Sequence, residues 1–229
     1  MILALITCCV AIGAGGIGVW SDGTAYTVPA GRIEAGLGSP WSIGMRDRRE
    51  LSSYILFGAL VPGFRFKQQW YGEGDWSMAS THSLYSITPL LRLIRREGTG
   101  GIISPDNEIP VFIGSGNHLL ISHPFAQVHL ITFTAGGTAT VWFGKHTLES
   151  IDYFMAYPRT ASSITGYSFD AGIDLRATVW RGWGYRSNAA IFFTPGLEGT
   201  WEFEQTVALT WHPGDRCAVS AGARYVAGA

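Results

Sequence analysis

The stretch Tyr167–Val179, YSFDAGIDLRATV, alternates between apolar and polar side chains almost without error. Every second residue from Tyr167 is apolar, and the positions between carry Ser, Asp, Gly, Arg and Thr. A period of two places successive side chains on opposite sides of an extended chain, so the stretch predicts a β-strand with two unlike faces. The fold then depends on whether the apolar face meets a protein core or lipid.

The same two-residue period recurs along most of the chain. It is clear in segments 64–72, 183–193 and 201–212, and short turns such as 213–214 join such segments. We count ten to twelve strands, which predicts an all-β protein built as an antiparallel up-and-down meander. A helical period competes only around 89–97, where a single turn of helix fits.

Strand length and the placement of aromatic residues favour lipid outside the sheet. The clearest strands run for about 10–13 residues, and a tilted strand needs about 9–11 to cross a bilayer. Bulky aromatic side chains gather near the strand ends on the apolar face, as in the aromatic girdles of membrane barrels. The predicted girdle consists of Tyr167, Trp183, Tyr185, Trp201, Phe203, Trp211 and Tyr225.

The polar face differs from an ordinary water-facing surface. Charged residues make up 14% of the chain, against about 25% in soluble domains. Arginine, which suits crowded and paired sites, strongly outnumbers lysine. Facing inward, charges of both signs would pair across a narrow lumen. The predicted inward charges are Glu34, Arg46, Arg65, Asp170, Asp174, Arg176, Arg186, Glu202, Glu204, Arg216 and Arg224.

These features predict a closed antiparallel transmembrane β-barrel of about ten to twelve strands. Closure is expected because unpaired backbone groups in hydrocarbon cost several kcal/mol each. The predicted barrel domain spans residues 26–229. A Gly- and Pro-rich stretch at 96–116 interrupts the strand rhythm and is expected at the barrel mouth or folded inside. A plain surface loop is the alternative.

The N-terminal residues 2–19 form a long uncharged apolar run. We interpret residues 1–25 as a signal peptide with cleavage near Ala25, which predicts export to the outer membrane of a Gram-negative type of cell. No Lys or Arg precedes the run, which departs from the usual pattern of signal peptides. A transmembrane anchor is the alternative, weakened by the glycines in the run.

Segments 29–57 and 97–123 read PAGRIEAGLGSPWSIGMRDRRELSSYILF and EGTGGIISPDNEIPVFIGSGNHLLISH. They resemble parts of a poorly characterised group of bacterial outer-membrane β-barrel proteins. In that group a Gly–hydrophobic strand, a turn and a D-R-x-E-L step open the barrel. The resemblance implies an outer-membrane location and a barrel fold, and it carries no catalytic residues with it.

Two adjacent Ser–His pairs are candidates for a hydrolytic site. His82–Ser83 and Ser122–His123 are neighbours in predicted strands, so their side chains point to opposite faces and cannot form a nucleophile–base pair. His118 and His123 likewise fall on opposite faces, which argues against a three-histidine metal site with His129. The sequence predicts no catalytic residue, no metal site and no cofactor.

The first functional hypothesis is an integral outer-membrane barrel with a structural or passive, porin-like role and a charged lumen. Its expected partners are outer-membrane lipids or lipopolysaccharide, with a small solute or ion as cargo. The near-neutral net charge of -1 gives no reason to expect nucleic acid. Two alternatives stay open: a membrane-embedded hydrolase acting on lipid or lipopolysaccharide, and a soluble β-barrel that binds apolar ligands.

Overall fold

The computed structural model describes most of the chain: residues 2–10, 21–36, 40–55, 57–99, 101–125, 129–145, 147–148, 160–180, 182–197, 199–214 and 217–228. For residues 2–10, 213–214 and 217 the description covers the backbone alone. Residues 149–157 and the predicted inward residue Arg216 lie outside the described residues.

Within these ranges the chain forms twelve strands and two short helices. Neither helix has the length and hydrophobicity that a membrane-crossing helix needs. The strands are β1 (Ile2–Val10), β2 (Ile33–Glu34), β3 (Trp41–Met45), β4 (Arg49–Ser53), β5 (Gly63–Glu73), β6 (Trp76–Tyr85), β7 (Val111–Phe125), β8 (His129–Phe143), β9 (Tyr167–Trp180), β10 (Trp183–Phe193), β11 (Trp201–Gly214) and β12 (Cys217–Gly228). The helices are α1 (Thr88–Ile94) and α2 (Ala161–Thr165).

All twelve strands belong to one antiparallel sheet in the order β1-β12-β11-β10-β9-β8-β7-β6-β5-β4-β3-β2. From β2 to β12 each strand pairs with the next strand along the chain, which is the up-and-down meander that the sequence predicts. Eleven described strands, β2 to β12, lie in the predicted barrel domain. The long strands β7 to β12 carry most of the pairing.

The N-terminal apolar run takes part in the sheet. Strand β1 pairs with β12 from Ile2 opposite Tyr225 to Val10 opposite Cys217. The sequence led us to expect this run outside the barrel domain, because a continuous apolar run does not distinguish a signal segment from a strand. The pairing leaves the removal of a signal peptide as a prediction, since cleavage is a separate event.

The alternation in β9 answers the question of the two faces. Asp174 is 2% exposed, whereas its neighbour Ile173 is 46% exposed. Strand β11 shows the same arrangement, since Glu204 is buried and Leu209 is exposed. The apolar face therefore looks outward and the charged face is enclosed, the reverse of a soluble barrel with an apolar interior.

Contacts across the enclosed face demonstrate that the sheet curls strongly. The Asp22 carboxylate lies 2.8 Å from the Arg65 guanidinium on β5. A side chain added at the adjacent Gly23 would meet Arg176 on β9 and Arg186 on β10. Strands β5 and β10 are five positions apart, which is about 24 Å in a flat sheet. Only a sheet that wraps around residues 21–28 brings these strands to the same point.

A small apolar cluster covers one end of the sheet. Leu91 of α1 is buried against Ile103 and Ile109, together with Phe112 of β7. A bridge between Arg95 and Ile103 ties the start of the connecting segment to the end of the helix. The predicted loop at 96–116 is therefore shorter than expected: β7 already begins at Val111, and the segment before it packs on α1.

Candidate functional site: an enclosed charge network and an outer polar cluster

Residues 21–28, which we call the inner segment, lie against the enclosed face of the sheet. The backbone N–H and hydroxyl of Ser21 donate to Glu34 Oε2 on β2 at 3.3 and 2.9 Å. The Val28 N–H donates to Glu50 Oε2 on β4 at 3.0 Å. The Ala25 N–H donates to Ser122 Oγ on β7 at 2.9 Å. The inner segment thus satisfies its backbone groups on three separate strands.

Lys67 on β5 also binds the inner segment. Its ammonium donates to the carbonyl oxygens of Ser21 at 2.6 Å and Tyr26 at 3.0 Å, and it lies 3.5 Å from Glu50. The side chains of Lys67 and Glu50 are almost completely buried. A lysine fits here because three donors on a compact head can serve three acceptors at once.

A second set of charges surrounds Asp22 and Asp174. The Asp174 carboxylate accepts hydrogen bonds from the Nε atoms of Arg176 and Arg186. Burial alone would raise the pKa of the Asp22 carboxyl, but the neighbouring charges of Arg65 and Arg186 outweigh it, so its pKa lies well below the ordinary value. The negative charge of Asp22 is therefore a fixed part of this network at neutral pH.

The predicted inward charges fall into three groups. Glu34, Arg65, Asp174, Arg176 and Arg186 belong to the network around the inner segment. Two other pairs lie elsewhere on the enclosed face: His118 Nε2 with Asp170 Oδ1 at 2.9 Å, and Arg224 Nε with Glu204 Oε1 at 3.4 Å. Glu202 is half-buried at the start of β11.

Arg46 does not lie on the enclosed face, so that part of the prediction is wrong. Strand β3 ends at Met45, and Arg46 is exposed in the turn that leads to β4. Asp47 and Arg48 in this turn have φ angles of 60° and 56°, which gives the tight reversal between the two strands. A period of two cannot reveal where a strand stops, and this turn interrupts it.

Sequence reasoning missed Asp22, Glu50 and Lys67. Asp22 lies inside the predicted signal peptide, which the sequence places outside the barrel domain. Lys67 lies two residues after Arg65, and the period of two places it on the same face. That spacing was a usable signal, whereas the partnership with the inner segment was not visible in the sequence.

The aromatic residues predicted as a girdle are exposed, with one exception. Tyr185 is half-buried, and its hydroxyl forms a 3.1 Å hydrogen bond with His129 Nδ1. The exposed members are Tyr167, Trp183, Trp201, Phe203, Trp211 and Tyr225. Trp183 stacks on Trp211 near one end of β10, and Phe193 contacts Trp201 at the other end.

A polar cluster lies on the opposite, outward face of β5, β6 and β7. His82 Nδ1 is 2.7 Å from Asn117 Oδ1, and His82 Nε2 is 3.0 Å from Ser80 Oγ. The indole N–H of Trp70 donates to the same Ser80 oxygen at 3.0 Å. We call Ser80, His82, Asn117 and Trp70 the outer polar cluster.

The outer polar cluster was missed because only adjacent residues were tested as Ser–His pairs. The opposite-face argument itself agrees with the structure, since His82 is exposed and the Ser83 hydroxyl donates back to the Gly116 carbonyl. The period of two also puts Ser80 on the face of His82. Among the described residues, no group of three or more His, Cys, Asp or Glu side chains is arranged to hold a metal ion.

An up-and-down sheet that encloses its charges and exposes its apolar side chains is the arrangement of β-barrel membrane proteins. No family model and no curated protein matches the chain. Among solved structures, the chain is similar to the Yersinia pestis outer membrane protein Ail, whose backbone structure was obtained in a phospholipid bilayer nanodisc. The two are 10% identical with a TM-score of 0.34, over 96% of this chain and 97% of that chain.

Proposed function

We propose that the protein is an integral outer-membrane β-barrel whose lumen is closed at rest by its own inner segment. The observation that carries this proposal is the set of hydrogen bonds that join residues 21–28 to four strands of the enclosed face. The inner segment donates to Glu34, Glu50 and Ser122, and Lys67 donates to the inner segment. A segment held on so many sides occupies the space that a solute would need. The barrel then acts as a structural element of the membrane rather than as an open pore.

The outward face supports a membrane-spanning position. Trp183 pairs with Trp211, and Phe193 pairs with Trp201, ten residues further along β10. Ten residues extend about 33 Å along a strand, or about 25 Å along the membrane normal at a tilt of about 40°. That distance matches the height of the apolar band in outer-membrane barrels. We expect lipid or lipopolysaccharide to contact this band.

Closure of the sheet into a barrel is part of the proposal. The enclosed face already brings β5, β9 and β10 around the inner segment at Asp22 and Gly23. A sheet that curls this far in lipid is expected to close, because a free edge would leave backbone groups without partners in hydrocarbon.

Export by a signal peptide within residues 1–25 remains a prediction. The contacts of the inner segment limit where that peptide can be cleaved. Cleavage next to Ala25 would remove Ser21 and Asp22, which bond to Glu34 and Arg65. We therefore expect the purified membrane protein to retain Ser21. N-terminal sequencing of protein extracted from outer membranes tests this, and a mature chain that starts after Ala25 would contradict the closed-lumen proposal.

Conductance through planar bilayers tests the closed lumen directly. We expect no sustained current from the purified wild-type protein. The double variant Ser21→Ala/Asp22→Ala should show transient openings, since it loses anchors of the inner segment on β2 and β5. Asp47→Asn, in the exposed turn, is the matched control and should behave as the wild type. A steady current through the wild-type protein would favour the passive pore instead.

A further inference from the structure

The outer polar cluster occupies an unusual place for polar side chains. Most other outward positions on the same three strands are apolar, as at the exposed Phe64, Leu84 and Ile113, and Gln68 and Ser115 are polar exceptions. Polar groups in a lipid-facing band are costly and tend to mark functional sites. A lipid-facing strand would usually carry an aliphatic residue at each position of the cluster.

The cluster has the connectivity of a nucleophile, a base and an orienting group. Asn117 Oδ1 can only accept, so His82 Nδ1 carries the proton in their 2.7 Å hydrogen bond. The unprotonated His82 Nε2 then accepts from the Ser80 hydroxyl at 3.0 Å. This is the arrangement in which a histidine activates a serine and a third group fixes its tautomer.

The strand geometry explains how three residues reach this alignment. Ser80 and His82 are two residues apart on β6, so both project from the outward face. His82 is exposed there, whereas Ser80 is 8% exposed and lies against the indole of Trp70. Asn117 on β7 is the direct register partner of His82. Trp70, at a register shift in β5, donates its indole N–H to Ser80 Oγ at 3.0 Å. A neutral Asn in the third position avoids the cost of an ionised carboxylate at a lipid-facing site.

We infer that Ser80, His82 and Asn117 form a hydrolytic site that faces the bilayer and cleaves acyl esters of phosphate-bearing membrane lipids. Ser80 is the nucleophile, His82 is the general base and acid, and Asn117 is a positioning residue. This activity is additional to the proposed structural role, because the site lies on the opposite face of the sheet from the inner segment.

The surroundings of the cluster indicate the substrate class. Trp76 begins β6 four residues before Ser80 and is exposed, so Ser80 lies about 10 Å inside the end of the strand along the membrane normal. That depth suits an acyl ester near the boundary of headgroups and hydrocarbon. Arg49 donates to Gln68, the register partner of Ser80, and is half-exposed, so it can meet a lipid phosphate.

The proposed reaction consumes one ester and one water. His82 Nε2 takes the proton of Ser80 as Oγ bonds to the ester carbonyl carbon, and the ester carbonyl oxygen takes up the negative charge of the tetrahedral intermediate. The carbon–oxygen bond to the lipid alcohol then breaks, and His82 returns the proton to the departing oxygen. Water, deprotonated by His82, attacks the acyl–serine ester, which releases the fatty acid and restores the Ser80 hydroxyl.

The first test uses the full-length protein in detergent micelles with a long-chain alkylsulfonyl fluoride. Ser80 Oγ should displace fluoride and form a sulfonyl ester, which peptide mass spectrometry would locate. Fatty-acid release is then measured from phosphatidylglycerol and, separately, from lipid A. Release from phosphatidylglycerol alone identifies a glycerophospholipid as the source of the ester. Release from lipid A alone identifies lipopolysaccharide.

Variants distinguish this site from an ordinary polar cluster. Ser80→Ala and His82→Gln should each lower the rate at least about 100-fold. Asn117→Ala should lower kcat more than it changes KM and alter the pH–rate profile, and Asn117→Asp should restore part of the rate. Ser83→Ala removes a hydroxyl from the enclosed face of the same strand and should act as the wild type.

Heat-modifiable gel mobility reports the folded barrel for every variant. A folded wild-type protein that neither reacts with the fluoride nor releases fatty acid would overturn the hydrolytic site. Full activity in folded Ser80→Ala would overturn it as well. Both results would leave the closed-lumen barrel intact, because conductance and gel mobility test that proposal independently.

Discussion

The carboxylate of Asp22 lies 2.8 Å from the guanidinium of Arg65, although the two residues are 43 positions apart in the chain. This pair joins the inner segment to β5. The positive charge of Arg186 on β10 also lowers the pKa of the same carboxyl group. A single acidic side chain thus links a segment outside the main meander to strands that are far apart in the sheet.

Asp22→Asn should destabilise the barrel, because it leaves the positive charges of Arg65, Arg176 and Arg186 with one anion fewer. The pair is partly exposed, so we expect a loss of about 1–3 kcal/mol in the free energy of unfolding. Urea unfolding of the refolded protein in micelles measures it. Asp47→Asn removes an exposed pair with Arg49 and should change stability by less than about 1 kcal/mol.

The contribution of Asp22 should depend on pH in a defined direction. Its pKa in the folded protein lies below the ordinary value of 3.8, so the unfolded chain takes up a proton first as the pH falls. The stabilisation is complete above the ordinary value and is lost below it. The difference in stability between the wild type and Asp22→Asn should therefore shrink from about pH 5 towards about pH 2. A constant difference would contradict the assigned charge state.

A side chain at Gly23 should be unfavourable for two separate reasons. Its φ of +71° is unfavourable for other residues, and a Cβ would lie 2.6 Å from Arg176 Nη2 and 2.8 Å from Arg186 Nη2. Gly31 has a similar φ of +78° with nothing within 4 Å, so it isolates the backbone effect. We expect Gly31→Ala to cost about 1 kcal/mol and Gly23→Ala to cost clearly more. Equal losses in urea unfolding would argue against close packing of the arginines.

Val207→Arg tests which medium surrounds the sheet. Val207 is exposed near the middle of β11, and an arginine on a lipid-facing strand costs about 2–4 kcal/mol at the bilayer midplane. On a water-exposed surface the same change would stay within about 0.5 kcal/mol. Unfolding in lipid vesicles distinguishes the two cases. Asp75→Arg, in the exposed turn between β5 and β6, is the control and should have little effect.

The alternation of residues was enough to predict the sheet and its up-and-down order. In Tyr167–Val179 the apolar and polar positions separate cleanly, and the structure buries Asp174 while exposing Ile173. This succeeded because a period of two is a local property of the backbone. The same property fails at strand ends, which is why Arg46 was misplaced in a strand.

Other features required the folded chain. The apolar run of β1 has no period that distinguishes a strand from a signal segment, and its pairing with β12 depends on residues more than 200 positions away. The ion pair of Lys67 with Glu50 and the alignment of Ser80, His82 and Asn117 depend on strand register and on how the sheet curls. Local sequence fixes which side of a strand a residue occupies; only the tertiary structure decides what it meets there, because distances between strands are set by the whole sheet.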